Sequence, residues 1–167
     1  GGLAMNAGID LLLNDPTTEV LVLLSKPPSQ EVAEQIINRV KSASKPVLIC
    51  FLGAAESNIK IPPTLHSAAT LEDLAIKAIQ LSGLPVNMQT LAQPVIPPTQ
   101  LKGENRLLRG LFAGGTLAYE AMIILQDALG PIYSNAPLNS AYDSGKELNL
   151  NQHICLDLGA EEYTVSV

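Results

Sequence analysis

Apolar positions early in the chain alternate between a helical and a strand period. Met5, Ile9, Leu12 and Leu13 recur at i, i+4, i+7 and i+8, which marks one face of a helix. Asn14-Asp15-Pro16 ends it, because proline disfavours the helical region in the residue before it. Val20 to Leu24 is an unbroken apolar run of strand length, the pattern of a parallel strand covered on both faces. Lys26-Pro27-Pro28-Ser29 then reads as a stiff turn, with Ser29 placed to cap a helix whose buried stripe is Val32, Ala33, Ile36, Ile37 and Val40. A loop over 42–45 leads to a second buried strand, Val47 to Leu52.

Gly53 to Pro63 is a polar loop, and Leu65-His66-Ser67-Ala68 reads as a short third strand. Thr70-Leu71-Glu72-Asp73 resembles a capping box; it opens a helix with Leu71, Leu74, Ala75 and Ala78 facing inward, which Gly83 stops. Helix, strand, helix, strand, strand, helix implies a small parallel sheet with helices on both faces. Residues 85–102 carry Pro94, Pro97 and Pro98 with little charge and no period, so they read as an extended linker. It separates a first domain, 1–84, from a second, 103–167. The second predicts a strand over Leu107–Phe112, a Gly114-Gly115 turn, and a helix burying Leu117, Ala121, Ile124, Leu125 and Ala128 before Gly130-Pro131. A polar loop over 135–151 follows, then a strand from His153 to Leu158. The last residues, Glu162 to Val167, read as a further strand; Glu161 and Glu162 point to opposite faces if extended. The fold class is therefore α/β with two parallel-sheet sub-domains, the second with too few elements to be complete. Both ends read as cut, so the expectation is an internal piece of a longer protein.

Composition narrows the function classes. A 47% hydrophobic content supports a core. The net charge of −6 argues against nucleic acid or an anionic membrane as main partner. The apolar segments have the length of strands or ordinary helices, too short for a membrane span. Cys50 and Cys155 lie far apart in apolar runs, with neither metal nor disulfide spacing, and read as core thiols of a cytoplasmic, reducing compartment. No metal site is expected.

The chemistry concentrates at Leu111-Phe112-Ala113-Gly114-Gly115-Thr116, the end of a strand, a glycine turn and the start of a helix. Free N–H groups and the positive dipole end make such a start an anion site, and glycines let a ligand approach the backbone. The plainer alternative is a tight turn with Thr116 as cap. Asp157 falls at a strand's C-terminal end, where α/β sheets place ligands. Lys26 is either a solvated turn lysine or a cation for an oxyanion. His66 and His153 read as partly buried strand-edge residues.

Two stretches resemble a known family. Gly8-Ile9-Asp10-Leu11-Leu12-Leu13-Asn14-Asp15-Pro16-Thr17-Thr18-Glu19-Val20 is similar to the second domain of succinyl-CoA synthetase α subunits, where an "IDALExFxxDPxTE" helix leads into an apolar strand. Gly110 to Leu125, with Leu156-Asp157-Leu158-Gly159, resembles the "NGAGLAMATMD" turn-helix and "FLDVGG" strand end of the β subunits. Both kinds of ligase domain in tandem on one chain is the pattern of the FdrA family. Ser25-Lys26-Pro27-Pro28, Phe51-Leu52-Gly53 and Gly114-Gly115-Thr116-Leu117 add to that likeness. The resemblance implies two flavodoxin-like, ligase-type sheets and a Rossmann-like domain outside this chain. It also implies homo- or hetero-oligomers and a small anionic substrate: phosphate, an acyl phosphate or carbamoyl phosphate. FdrA-type proteins are labelled acyl-CoA synthetases and are associated with carbamoyl transfer between N-carbamoyl-oxamate and phosphate. CoA or nucleotide would be matters for the longer protein.

The departures are informative. The synthetases' "GHAGA" loop, with its phosphorylated histidine, has no counterpart after Gly53, and the supporting Glu of their "GEIGG" turn is replaced by Lys26. The family geometry then implies two facing helix starts, one at Gly114-Gly115-Thr116 and one at Ala4-Met5-Asn6, with Lys26 near the gap, clamping an anion without phosphohistidine. Two alternatives stand beside this: an NDP-forming acyl-CoA synthetase using His66, and a non-catalytic assembly module.

Overall fold

Helix α1 (Leu3–Asn14) begins at Gly2, whose φ of 80° lies in the left-handed region that glycine enters without strain. The computed structural model describes residues 2–54, 59–86, 107–145 and 148–165. The chain divides into two compact units, Gly1–Thr90 and Leu91–Val167. Most of the expected linker lies outside the described residues.

In the first unit, β1 (Leu21–Ser25), β2 (Val47–Phe51) and β3 (His66–Ser67) form a parallel sheet in the order β1-β2-β3. Helix α2 (Gln30–Val40) joins β1 to β2, and α3 (Leu71–Leu81) follows β3. Ile9 and the α2 stripe Ala33, Ile36, Ile37 and Val40 bury against Leu21, Leu23, Val47, Ile49 and Phe51 on one sheet face. The pattern reading holds for α2 and for β2, which is buried throughout. It needs correction at β1, where burial alternates and Val22 is 40% exposed. This strand is an edge, and α3 packs over β2 instead. Leu12 and Ala75 also face outward, so the inward faces of α1 and α3 are narrower than expected.

In the second unit, β4 (Arg109–Phe112), β5 (Ile132–Tyr133) and β6 (His153–Asp157) form a parallel sheet in the order β4-β6-β5. Helix α4 (Gly115–Leu129) connects β4 to β5, and a 3-10 turn (Ser140–Tyr142) sits in the long loop before β6. The buried face of α4 is Ala118, Tyr119 and Met122, while Leu117 and Ile124 are 57% and 59% exposed. Of the expected stripe, Leu117, Ile124 and Ala128 face outward, whereas Leu125 packs against the core as read. The helix is apolar nearly all round, so periodicity could not choose a face. Strand β5 was not expected; its two residues are too short to show a period. The tail expected as a strand is instead α5 (Glu161–Thr164) in its described part. Neither cysteine is in a disulfide and both are buried; burial pushes the Cys155 thiol above its ordinary range.

Candidate functional site

Parallel sheets gather their βα turns at the C-terminal edge, and the residues expected at the anion site, though neither histidine, lie at that edge in their own unit. In the second, Phe112 and Asp157 are register partners at the ends of β4 and β6. The two following turns touch: the Leu158 N–H donates to the Phe112 carbonyl at 2.7 Å. A Cβ added at Gly159 would stand 2.6 Å from the Ala113 carbonyl oxygen, so that position requires glycine for close approach. Gly114 caps α4 in extended conformation, with nothing within 4 Å of where its Cβ would be. Space therefore opens in front of the first turn of α4. Thr116 lies inside that turn, which corrects its reading as the cap.

Asp157 is buried, and its Oδ1 accepts the Gly159 N–H at 3.0 Å. Its backbone is held by Asn135, which belongs to the stretch that reads as a polar loop. The Asn135 Oδ1 accepts the Asp157 N–H at 2.9 Å, and its Nδ2 donates to the Asp157 carbonyl and to Glu162 Oε1, both at 3.0 Å. The amide side chain stands in for a strand residue beside the end of β6. No sequence signal marks it, because its role depends on the two-residue β5 ending just before it.

In the first unit the edge holds the start of α1 and the turn from β1 to α2. A Cβ at Gly2 would lie 3.0 Å from Val32 Cγ1, in the first turn of α2. The Lys26–Ser29 turn leads directly into that helix, so Gly2 and the Lys26 turn share one end of the unit. Lys26 follows the last residue of β1 in an exposed bend. Ala4 is exposed, Asn6 is half-buried and its N–H donates to the Gly2 carbonyl, and Met5 packs against the core. The starts of α1 and α4 fall in different units. His66 sits on β3, exposed rather than partly buried. His153 opens β6 half-buried, as read, and its Nδ1 accepts the Leu108 N–H at 3.0 Å.

The starts of the four longer helices fall into two kinds. Ser29 caps α2 through the Val32 N–H and Thr70 caps α3 through the Asp73 N–H, with Glu31, Glu72 and Asp73 in the first turns. Both α1 and α4 have glycine at the cap, no side-chain cap hydrogen bond and no acidic residue in the first turn. Two starts carry their own anionic or hydroxyl partner; the other two have no side-chain cap bond.

Among the described residues no cluster of three or more His, Cys, Asp or Glu side chains could hold a metal ion. None of their helices is long and apolar enough to cross a membrane. The chain is 36% identical over 170 residues to the uncharacterized protein YahF of Escherichia coli (strain K12), a match that takes in 98% of this chain. The chain spans 33% of the length of that relative. No family model matches, and no solved structure matches.

Proposed function

We propose that this chain is the paired ligase-type part of an FdrA-type, acyl-CoA synthetase-like protein, and that its glycine-capped helix starts hold a small oxyanion. The observation that carries the reading is the contrast in capping. The four longer helices divide into two that cap themselves and two that begin at glycine without any side-chain acceptor. The two uncapped ones are those the family likeness assigns to the anion. A phosphate, acyl phosphate or carbamoyl phosphate suits this chemistry, since backbone N–H groups and a helix dipole favour negative charge over any one substituent.

In this reading Lys26 supplies charge at the edge of the first unit and Asp157 supplies an acceptor beside the glycine turn of the second. Catalysis would come from positioning and from N–H groups aimed at developing charge, without a phosphohistidine. His66, on an exposed strand edge, is not assigned a role. Localisation in the cytoplasm and association with further domains and subunits belong to the same proposal. The outward Leu3 and Leu11 of α1 and the outward Leu117 and Ile124 of α4 favour one addition, that these helices also make assembly contacts.

The test is an NMR titration of the full chain with inorganic phosphate, acetyl phosphate and carbamoyl phosphate. Saturable amide shifts are expected at the first turns of α1 and α4 and not at those of α2 and α3. Equal shifts at all four starts, or no saturable shift, would remove the reading.

A further inference from the structure

The opposite poles of the same helices are also treated unequally. The last turn of α1 is met by Lys45, whose Nζ donates to the Leu12 carbonyl at 3.1 Å and to the Asp15 carbonyl. Helix α2 carries Arg39 in its last turn. Helix α3 closes on itself: Ser82 Oγ and the Leu84 N–H both donate to the Ile79 carbonyl, at 2.7 and 3.3 Å. Helix α4 ends differently. The Gly130 N–H donates to the Gln126 carbonyl at 2.8 Å, but the next residue is Pro131, which has no N–H to close a further bond. No basic residue lies in the last turn, and Asp127 adds a carboxylate to the negative pole. That placement is unfavourable on its own.

This pole opens onto a cavity of about 320 Å³ lined by Asp127, Gly130, Pro131, Ile132, Leu138 and Tyr142, with Gln126 at its side. Ile132 is buried and Leu138 packs with it, giving an apolar floor. Tyr142 is fixed edge-on against Tyr133, ring centroids 5.5 Å apart. Its loop is pinned by the Ser134 N–H to the Tyr142 carbonyl at 3.1 Å and by the Ser144 N–H to the Ser134 carbonyl at 2.9 Å. The walls are therefore formed before any ligand arrives. Among the lining residues Asp127 carries the charge.

We propose that this cavity binds a small organic cation, an ammonium group carried on a compact apolar body. The ammonium sits at the negative pole of α4, against Asp127. The apolar body lies on Ile132, Leu138 and the Tyr142 ring, which itself attracts a cation across its face. The volume is at the small end for ligand sites, which limits the ligand to about the size of a single ring. The site lies at the N-terminal edge of its sheet, where β5 begins, away from the glycine turn that opens α4, and is independent of the oxyanion reading.

Three probes of one shape and different charge decide it: benzylammonium, benzyl alcohol and benzoate, titrated into the isotope-labelled full chain. Benzylammonium should shift the Gly130, Ile132 and Tyr142 amides saturably, benzyl alcohol several-fold more weakly and benzoate not at all. Asp127→Asn should weaken benzylammonium binding by about two- to fivefold and leave benzyl alcohol unchanged. The same variant should raise thermal stability without ligand, because it removes a charge of the wrong sign from the helix end. Equal affinity for the alcohol or benzoate, no saturable shift at these amides, or an Asp127→Asn chain that binds the cation as well as the parent, would overturn the proposal.

Discussion

Single residues divide by what surrounds them more than by their type. Asp15 follows α1, and its carboxylate accepts Thr18 Oγ1 at 2.6 Å and the Thr17 N–H at 3.0 Å; these bonds, with Thr17 Oγ1, hold its pKa below the ordinary carboxylate value. A depressed folded-state value means that this contribution is present above the unfolded pKa and fades as pH falls through the folded one. Thr18→Val should move the Asp15 titration upward, as read by carboxyl carbon shifts. The two threonines were visible in the sequence; their convergence on one carboxylate was not, because it needs the turn that Pro16 imposes. At the other site, Gly159 and Gly114 look alike in the sequence and differ in space. Gly159→Ala would press on a backbone carbonyl and should cost about 1–3 kcal/mol in urea denaturation. Gly114→Ala meets open space and should cost well under that.

Elements were most legible where polar and apolar residues alternate cleanly. Helix α2 has a sharp stripe and a serine cap, and both were readable; α3 followed from Thr70 and Gly83 in the same way. Helix α4 was readable as a helix but not in its facing, since Leu117, Ala118, Ala121, Met122, Ile124 and Leu125 leave no polar side to exclude. Strand β5 and the holding role of Asn135 were illegible, because a two-residue strand is defined by its neighbour β6 and not by its own pattern. The glycine turn was legible as a strand-to-helix turn, whereas the contrast between self-capped and glycine-capped helices required the hydrogen bonds. Lys45 illustrates an element-scale contact 30 residues from its acceptor Asp15. Lys45→Met should lower stability by about 1 kcal/mol, measured by thermal unfolding, as α1 loses the cation at its negative pole.

At the scale of the whole chain, two compact units with separate sheets predict two unfolding events and not one. Each sheet holds a buried reporter, Cys50 in β2 and Cys155 in β6. Thiol labelling in increasing urea should give two midpoints. Cys155 should label first, since the first unit holds the larger share of buried apolar side chains among the described residues. Gly159→Ala should then lower the Cys155 midpoint and leave that of Cys50 in place; a single shared midpoint would mean the units fold as one. The second sheet was readable from the restart of the strand-turn-helix pattern; most of the proline-rich stretch read as the linker lies outside the described residues.

The central claim is that α4 begins at a glycine because an oxyanion, and not a side chain, meets its N–H groups. Gly114→Asp tests it most directly, since the open space there accepts the side chain and aspartate caps helices well. The measurement is phosphate affinity by titration calorimetry, with the thermal midpoint of the same samples. The expected result is a chain at least as stable as the parent that has lost phosphate binding at the α4 start, the carboxylate having taken the ligand's place. A Gly114→Asp chain that is equally stable and binds phosphate there with unchanged affinity would contradict the account.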